Sequence, residues 1–160
     1  MSSRLIESCS NNNYILKKID NVPSKLKDNS INQSLTEIQI WNNASEEERE
    51  LLAPLIHYFF DENDLPVLIF PRFKPLLSEE EMSYLPSELV LCKLYSILQD
   101  KGLCSADAYS FIQKVIRFCE NQGINEDDIL NNLNNLGWNK DYGVRIIDYG
   151  LDDEMIERMI

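Results

Sequence analysis

The alternation of apolar and polar residues predicts a β-hairpin at the start of the chain. Two short apolar runs, Arg4 to Cys9 and Tyr14 to Ile19, flank three asparagines, which suit a tight turn. Successive side chains of a strand point to opposite faces, so the second run places Lys17 on the face opposite to Lys18. A lysine on an edge strand commonly serves only to keep the protein soluble, and this explanation applies to either lysine. The alternation favours Lys17 as the one that points inward.

The middle of the chain predicts a loop, one helix and a second hairpin. Residues 20 to 33 are polar and rich in asparagine, which favours a mobile loop. Apolar residues then recur at helical spacing from Ser34 to Trp41, and Ser45 to Glu48 has the sequence of a capping box. Apolar runs at 56 to 60 and 67 to 73 predict an antiparallel hairpin.

The second half of the chain is predicted to be mainly helical. A capped turn at Ser78 to Met82 precedes helices from about Ser87 to Lys101 and from Ser105 to Gln122, each followed by glycine. Near the end, Lys140 to Gly143 suits a turn. The sequence therefore predicts an α+β fold with a small antiparallel sheet, one helix and a reduced helical part.

Composition limits the classes of partner and compartment. The 160 residues are 44% hydrophobic and 26% charged, which predicts one domain with a core. A net charge of −12 argues against nucleic-acid binding, which depends on lysine and arginine. Four cysteines without Cys-x-x-Cys spacing and a single histidine, His57, argue against zinc. No secretory leader and no long apolar run are evident, so we expect a cytoplasmic protein without a membrane segment.

Five residues along the chain carry the candidate chemistry. They are a lysine within a strand-like run, a glutamate twenty positions later, and an aspartate, an asparagine and an aspartate in the last quarter: Lys17, Glu37, Asp128, Asn135 and Asp148. Asp148-Tyr-Gly150 follows the apolar run that ends at Ile147. Each residue taken alone has an ordinary structural explanation, but their joint order and spacing favour a functional one.

In this order and spacing the chain resembles a protein-kinase-like fold over about residues 4 to 151. Asp148-Tyr-Gly150 resembles the Asp-Phe-Gly motif, and Tyr14 to Lys17 resembles the strand that carries the phosphate-binding lysine. The resemblance implies ATP and Mg²⁺ as cofactors, with Lys17 on the phosphates, Glu37 orienting it, Asn135 and Asp148 on the metal, and Asp128 as catalytic base. Leu68 to Phe73 resembles the strand leading to the hinge, which implies Phe70 and Arg72 as further cofactor-binding residues.

The chain departs from the kinase pattern at several points. No Gly-x-Gly-x-x-Gly precedes Lys17, and glutamate and aspartate stand where His-Arg precedes the family's catalytic aspartate. Asp128 and Asn135 are seven positions apart instead of five, and only ten residues follow Gly150. The sequence therefore predicts a minimal, C-terminally truncated domain of the kind encoded by small phage and bacterial open reading frames, with a sheet-rich lobe at about 1–73 and a reduced helical lobe at about 74–160.

The expected function is a pseudokinase-like, nucleotide- or partner-binding regulatory module. One alternative is a divergent ATP- and Mg²⁺-dependent phosphotransferase, which would be an enzyme acting on an acceptor that the sequence does not specify. Another is an acidic inhibitor that binds a basic host protein. Residues 151 to 160, with Leu151, Met155 and Met159 at helical spacing, are expected to close the core or to bind a protein partner or a second copy.

Overall fold

The first described sheet is four-stranded and carries Lys17. The structure, a computed structural model, describes residues 4–8, 13–19 and 24–150. The strands of this sheet are β1 (Arg4–Ser8), β2 (Tyr14–Ile19), β3 (His57–Phe60) and β4 (Pro66–Pro71), in the order β1-β2-β4-β3. All neighbours are antiparallel, and the two predicted hairpins are present. The α+β class with a small antiparallel sheet is therefore confirmed.

The long helix α1 (Ser24–Asn43) packs against β2 and β4. The prediction of a loop over 20 to 33 is wrong from Ser24 onward, and the predicted helix at 34 to 41 is only the second half of α1. The positions of its first half that the structure describes as buried, Ser30 and Gln33, are polar, so they add nothing to the apolar periodicity that predicts a helix.

The helical half contains the predicted capped turn and both predicted long helices. Its elements are α2 (Glu46–Arg49), α3 (Glu79–Ser83), a 3₁₀ turn (Ser87–Leu89), α4 (Val90–Asp100), α5 (Ser105–Gln122), α6 (Asp127–Leu130) and a second 3₁₀ turn (Leu133–Asn135). Ser45 and Ser78 each form a complete capping box. The predicted capping box at Ser45 and the predicted capped turn at Ser78 are therefore confirmed. Gly123 ends α5 in the left-handed conformation, with φ of 70°.

A second sheet carries the chain toward Asp148. It consists of β5 (Lys74–Pro75), β6 (Leu136–Asn139) and β7 (Gly143–Ile146) in that order. Gly143, with φ of 77°, closes the predicted turn between β6 and β7. The backbone of Ile146 exchanges hydrogen bonds with Leu51 and Ala53, each 2.8 Å long, so β7 is fixed beside the segment that follows α2.

A continuous hydrophobic cluster connects α1, β4, α4, α5 and the second sheet. None of the described helices is long and apolar enough to cross a membrane. The predicted closing segment at 151 to 160 lies outside the described residues, and its roles in the core and in partner binding remain predictions.

Candidate functional site

The strand alternation turns Lys17 inward, onto the helix that carries Glu37. The Lys17 Nζ atom lies 3.5 Å from Glu37 Oε1 and donates a 2.7 Å hydrogen bond to the carbonyl oxygen of Ile147. Lys18 points to the other face and pairs with Glu7 at 2.9 Å. The structure thus resolves the choice between the two lysines in favour of Lys17.

Asp148 joins this cluster through two donors that the sequence did not suggest. Its Oδ1 atom accepts hydrogen bonds from Arg4 Nη2 at 3.2 Å and from Gln33 Nε2 at 3.0 Å. The same Arg4 nitrogen donates to Glu37 Oε1 at 2.7 Å. Arg4 therefore bridges the two carboxylates, and Lys17, Glu37 and Asp148 come together as their spacing predicted.

One polar face of α1 forms the wall of the cluster. Ser30, Gln33, Ser34 and Glu37 are buried at positions i, i+3, i+4 and i+7, which is the spacing of a single helical face. Arg4 Nη1 donates to Ser34 Oγ at 3.4 Å, so the guanidinium forms hydrogen bonds with two residues of this face, Ser34 and Glu37. Gln33 lies at helical spacing from Glu37, but nothing in the sequence shows that this face is buried, and nothing singles out Arg4.

The two residues after Asp148 fix its position. A Cβ atom on Gly150 would lie 2.4 Å from the Gln33 carbonyl oxygen, so only glycine allows this approach to α1. Tyr149 is buried, packs edge-on against Phe70 and donates a 3.1 Å hydrogen bond to the carbonyl oxygen of Ala53. Both contacts give physical reasons for the sequence Asp-Tyr-Gly at this place.

Burial and mutual charge shift the ionisation of the cluster. Burial lowers the pKa of Lys17, and the nearby Glu37 carboxylate offsets only part of this effect. Burial opposes the charge of Asp148, but the positive charges of Lys17 and Arg4 prevail and lower its pKa. Burial also opposes the charge of Arg4, but the neighbouring carboxylates, Glu37 above all, outweigh burial and raise the pKa of Arg4. Burial and the neighbouring charges therefore act in opposite directions on Asp148 and Arg4, and at both the neighbouring charges prevail.

A cavity of about 300 Å³ opens beside the cluster. Its walls combine apolar side chains with the charged groups, and they include Ile15, Lys17, Phe70, Phe73, Ile147 and Asp148. Lys17 Nζ lies 4.6 Å from the centre of the Phe70 ring, a cation–π distance. The volume is at the lower end of the range for small-molecule sites, and such sites are typically apolar with a few convergent polar groups.

The cofactor-binding residues predicted on β4 and beyond it are divided between two cavities. Phe70 lies beside Lys17, whereas Arg72 lines a second cavity of about 420 Å³. This second cavity also contains Lys74, Trp138 and Tyr142. The structure thus brings Phe70, but not Arg72, to the Lys17 cluster.

Asn135 and Asp128 contact each other, and neither is among the described residues that line the first cavity. The Asn135 side-chain amide donates a 2.5 Å hydrogen bond to the backbone carbonyl oxygen of Asp128. The backbone carbonyl oxygen of Asn135 accepts a 2.9 Å hydrogen bond from the backbone N–H of Ile147. The described lining contains the neighbouring Asn134 instead. Asn135 therefore holds the segment after α6 against the residue that precedes Asp148.

The donor set does not suit the Mg²⁺ ion that the kinase resemblance implies. Magnesium needs near-octahedral oxygen ligands at about 2.0 to 2.1 Å. Oxygen atoms of Glu37 and Asp148 already accept hydrogen bonds from Arg4, and Lys17 adds a second positive charge. Among the residues that the structure describes, no group of three or more histidine, cysteine or carboxylate side chains is placed to hold a metal ion.

No protein-family model matches the chain, and a search of curated proteins finds no significant match. The functional argument therefore depends on the geometry of the cluster and of the cavity beside it.

Proposed function

We propose that the protein is a kinase-like module of the pseudokinase type, which binds a nucleotide in the cavity beside Lys17 and acts as a regulatory unit. The observation that carries this proposal is the ion pair between Lys17 on β2 and Glu37 on α1, with Asp148 in the same cluster. In protein kinases a strand lysine pairs with a glutamate on the next helix, and the aspartate of Asp-Phe-Gly lies across the nucleotide phosphates.

The order of elements supports the same proposal. The lysine strand, the glutamate helix and the hairpin of β3 and β4 come first. The helical half follows, and the β6–β7 hairpin then leads directly to Asp148-Tyr-Gly150. A kinase places its lysine strand, its helix αC, its catalytic loop and its Asp-Phe-Gly motif in this order along the chain.

The cavity suits the two ends of a nucleotide. Ile15, Phe70 and Phe73 provide an apolar part for a planar base, whereas Lys17 provides a cationic group for phosphate oxygens. A charge-assisted hydrogen bond to phosphate is about twice as strong as a neutral one. The ligand class that we propose is therefore a purine nucleotide such as ATP.

The position of Asp128 favours a pseudokinase over a phosphotransferase. A catalytic base must come within hydrogen-bond reach of the hydroxyl that it deprotonates. Asp128 is not among the described residues that line the cavity. We therefore propose that nucleotide binding is retained without phosphoryl transfer.

Thermal unfolding in the presence of ATP tests this proposal. A ligand that binds only the folded state raises stability, by about 2.7 kcal/mol at a concentration one hundred times Kd. We expect ATP to raise the Tm of the parent and of Lys18→Met, and to raise that of Lys17→Met much less. The two variants are matched, since both replace a lysine of β2 and only Lys17 lines the cavity. The absence of a Tm shift in the parent would contradict nucleotide binding.

Phosphate release from ATP separates the pseudokinase from the enzyme. We expect no release above the buffer rate. Release that Asp128→Asn abolishes would instead support the divergent phosphotransferase.

Exposed acidic turns favour a second candidate, the acidic inhibitor of a basic partner. Glu46, Glu47, Glu79, Glu80 and Glu81 are exposed in the first turns of α2 and α3, and the chain has 27 acidic against 15 basic residues. Such a surface steers basic proteins electrostatically. Salt-sensitive binding to a basic protein that Lys17→Met leaves intact would support this candidate.

A further inference from the structure

We propose that Arg4 is an internal cation that takes the place of a divalent metal ion between Glu37 and Asp148. The inference deepens the proposed function and rests on it for the identity of the ligand: the cavity binds a phosphate-bearing ligand without a metal. Loss of the guanidinium would convert the two carboxylates into a divalent-cation site.

The contacts of Arg4 carry this inference. One guanidinium nitrogen donates to Glu37 Oε1 at 2.7 Å and to Asp148 Oδ1 at 3.2 Å, and thus joins two carboxylates from distant parts of the chain. The Arg4 side chain is 2% exposed and the Glu37 side chain is fully buried. The guanidinium is therefore built into the interior and is not a surface charge that happens to lie near an acid.

The charge balance leaves no place for an additional cation. Arg4 and Lys17 are positive, and Glu37 and Asp148 are negative, so these four groups are neutral together. In the protein without a ligand, a divalent ion between the same carboxylates would add two positive charges beside two buried cations, with no further anion to offset the desolvation of those charges. A metal ion can bind only if Arg4 leaves.

Removal of Arg4 would expose carboxylate oxygens suitable for a hard cation. Glu37 Oε1 and Asp148 Oδ1 would lose their guanidinium donor. Glu37 Oε2 is already buried without a hydrogen-bond partner among the described residues. Oxygen atoms from two carboxylates are the ligands that Mg²⁺ and Mn²⁺ prefer.

The experiment compares Arg4→Met with Arg145→Met, with MgCl₂, with MnCl₂ and with EDTA. Arg145 is a matched control because its guanidinium is also partly buried but donates to backbone carbonyl oxygens of Tyr142, Arg49 and Leu52 rather than to carboxylates. We expect both variants to melt below the parent in EDTA. Addition of metal should raise the Tm of Arg4→Met most of the way back to that of the parent and should leave the Tm of Arg145→Met unchanged. In the double variant Arg4→Met with Asp148→Asn, metal should no longer raise the Tm.

Mn²⁺ binding to the parent, followed by electron paramagnetic resonance, keeps the test decisive if Arg4→Met does not fold. We expect neither the parent nor Arg4→Lys to bind Mn²⁺ at this cluster, because a buried cation already occupies the two carboxylates. Binding to the parent that Asp148→Asn abolishes would overturn the inference, as would equal metal responses of the two arginine variants.

Nucleotide binding in EDTA separates this inference from the proposed function. Binding of ATP to the parent that is equally tight in EDTA and in MgCl₂ supports a metal-independent site. Binding only with Mg²⁺ overturns the role of Arg4 and leaves the nucleotide proposal standing. If ATP binds under neither condition, the nucleotide proposal fails, whereas metal binding gained in Arg4→Met would still support the internal cation.

Discussion

The Lys17 ammonium lies closer to the carbonyl oxygen of Ile147, at 2.7 Å, than to the carboxylate of Glu37, at 3.5 Å. A single side chain on β2 thus contacts both α1 and the segment that leads to Asp148. Because a charged donor to a backbone carbonyl contributes more than a neutral one, this contact fixes the cluster as much as the ion pair does.

Replacement of Lys17 should therefore destabilise the fold more than replacement of its neighbour. Lys17→Met removes both contacts, and we expect a loss of about 1 to 3 kcal/mol in the free energy of unfolding. Lys18→Met removes only a partly exposed pair with Glu7, and we expect a change within about 0.5 kcal/mol. Urea denaturation measures both, and equal losses would contradict the contacts assigned to Lys17.

Gly150 should tolerate no side chain. In Gly150→Ala the new methyl group would meet the Gln33 carbonyl oxygen at 2.4 Å and Glu37 Cγ at 2.7 Å, so α1 would have to move. We expect a loss of about 1 to 3 kcal/mol, typical of overpacking. Gly102→Ala is the control, because Gly102 has open space and only its φ of 100° is unfavourable. Denaturant titration should show the larger loss for Gly150→Ala, and the reverse order would contradict the packing of Gly150 on α1.

Tyr149 should be the last tyrosine to ionise. Burial above all, and the charge of Glu37, raise its pKa well above the ordinary value. A raised folded-state pKa means that the contribution to stability is complete below about pH 10, the unfolded value, and is lost as the pH rises toward the folded one. In a titration of tyrosinate absorbance, Tyr149→Phe should remove the component with the highest pKa, whereas Tyr84→Phe, at an exposed position, should not.

The cysteines should differ in reactivity. Cys92 and Cys104 are exposed, whereas Cys119 is buried in α5 and burial raises its pKa to about 12. Because the thiolate is the reactive form, iodoacetamide at mildly alkaline pH should label Cys92 and Cys104 in the native protein. Peptide mass spectrometry should find Cys119 labelled only after addition of denaturant, and native labelling would contradict its burial.

Local patterns predicted the four strands of the first sheet, the capping boxes and the long helices of the second half, because these depend on residues close in sequence. The first half of α1 was missed since its described buried positions, Ser30 and Gln33, are polar rather than aliphatic. Together with Ser34 and Glu37 of the second half, these residues form the wall of the candidate site. The polar residues that hide this part of the helix from a hydrophobic pattern therefore belong to the site.

The candidate site was predictable only in part. The spacing of Lys17, Glu37 and Asp148 led to a cluster that the structure does bring together. Arg4 contacts residues 33 and 144 positions away, and no local pattern indicates a contact over such separations. Similarly, the hydrogen bond from Asn135 to Asp128 depends on how the segment after α6 folds back.

Methyl NMR during a titration with ATP in EDTA tests the central claim most directly. Ile15 and Ile147 line the cavity beside Lys17, whereas Ile97 and Ile112 lie in the core formed with α4 and α5. We predict that the methyl signals of Ile15 and Ile147 shift with a saturating dependence on ATP, that those of Ile97 and Ile112 stay in place, and that Lys17→Met weakens the response about tenfold, the equivalent of one lost charged hydrogen bond. Unchanged signals of Ile15 and Ile147 at high ATP concentration would contradict a nucleotide site in this cavity.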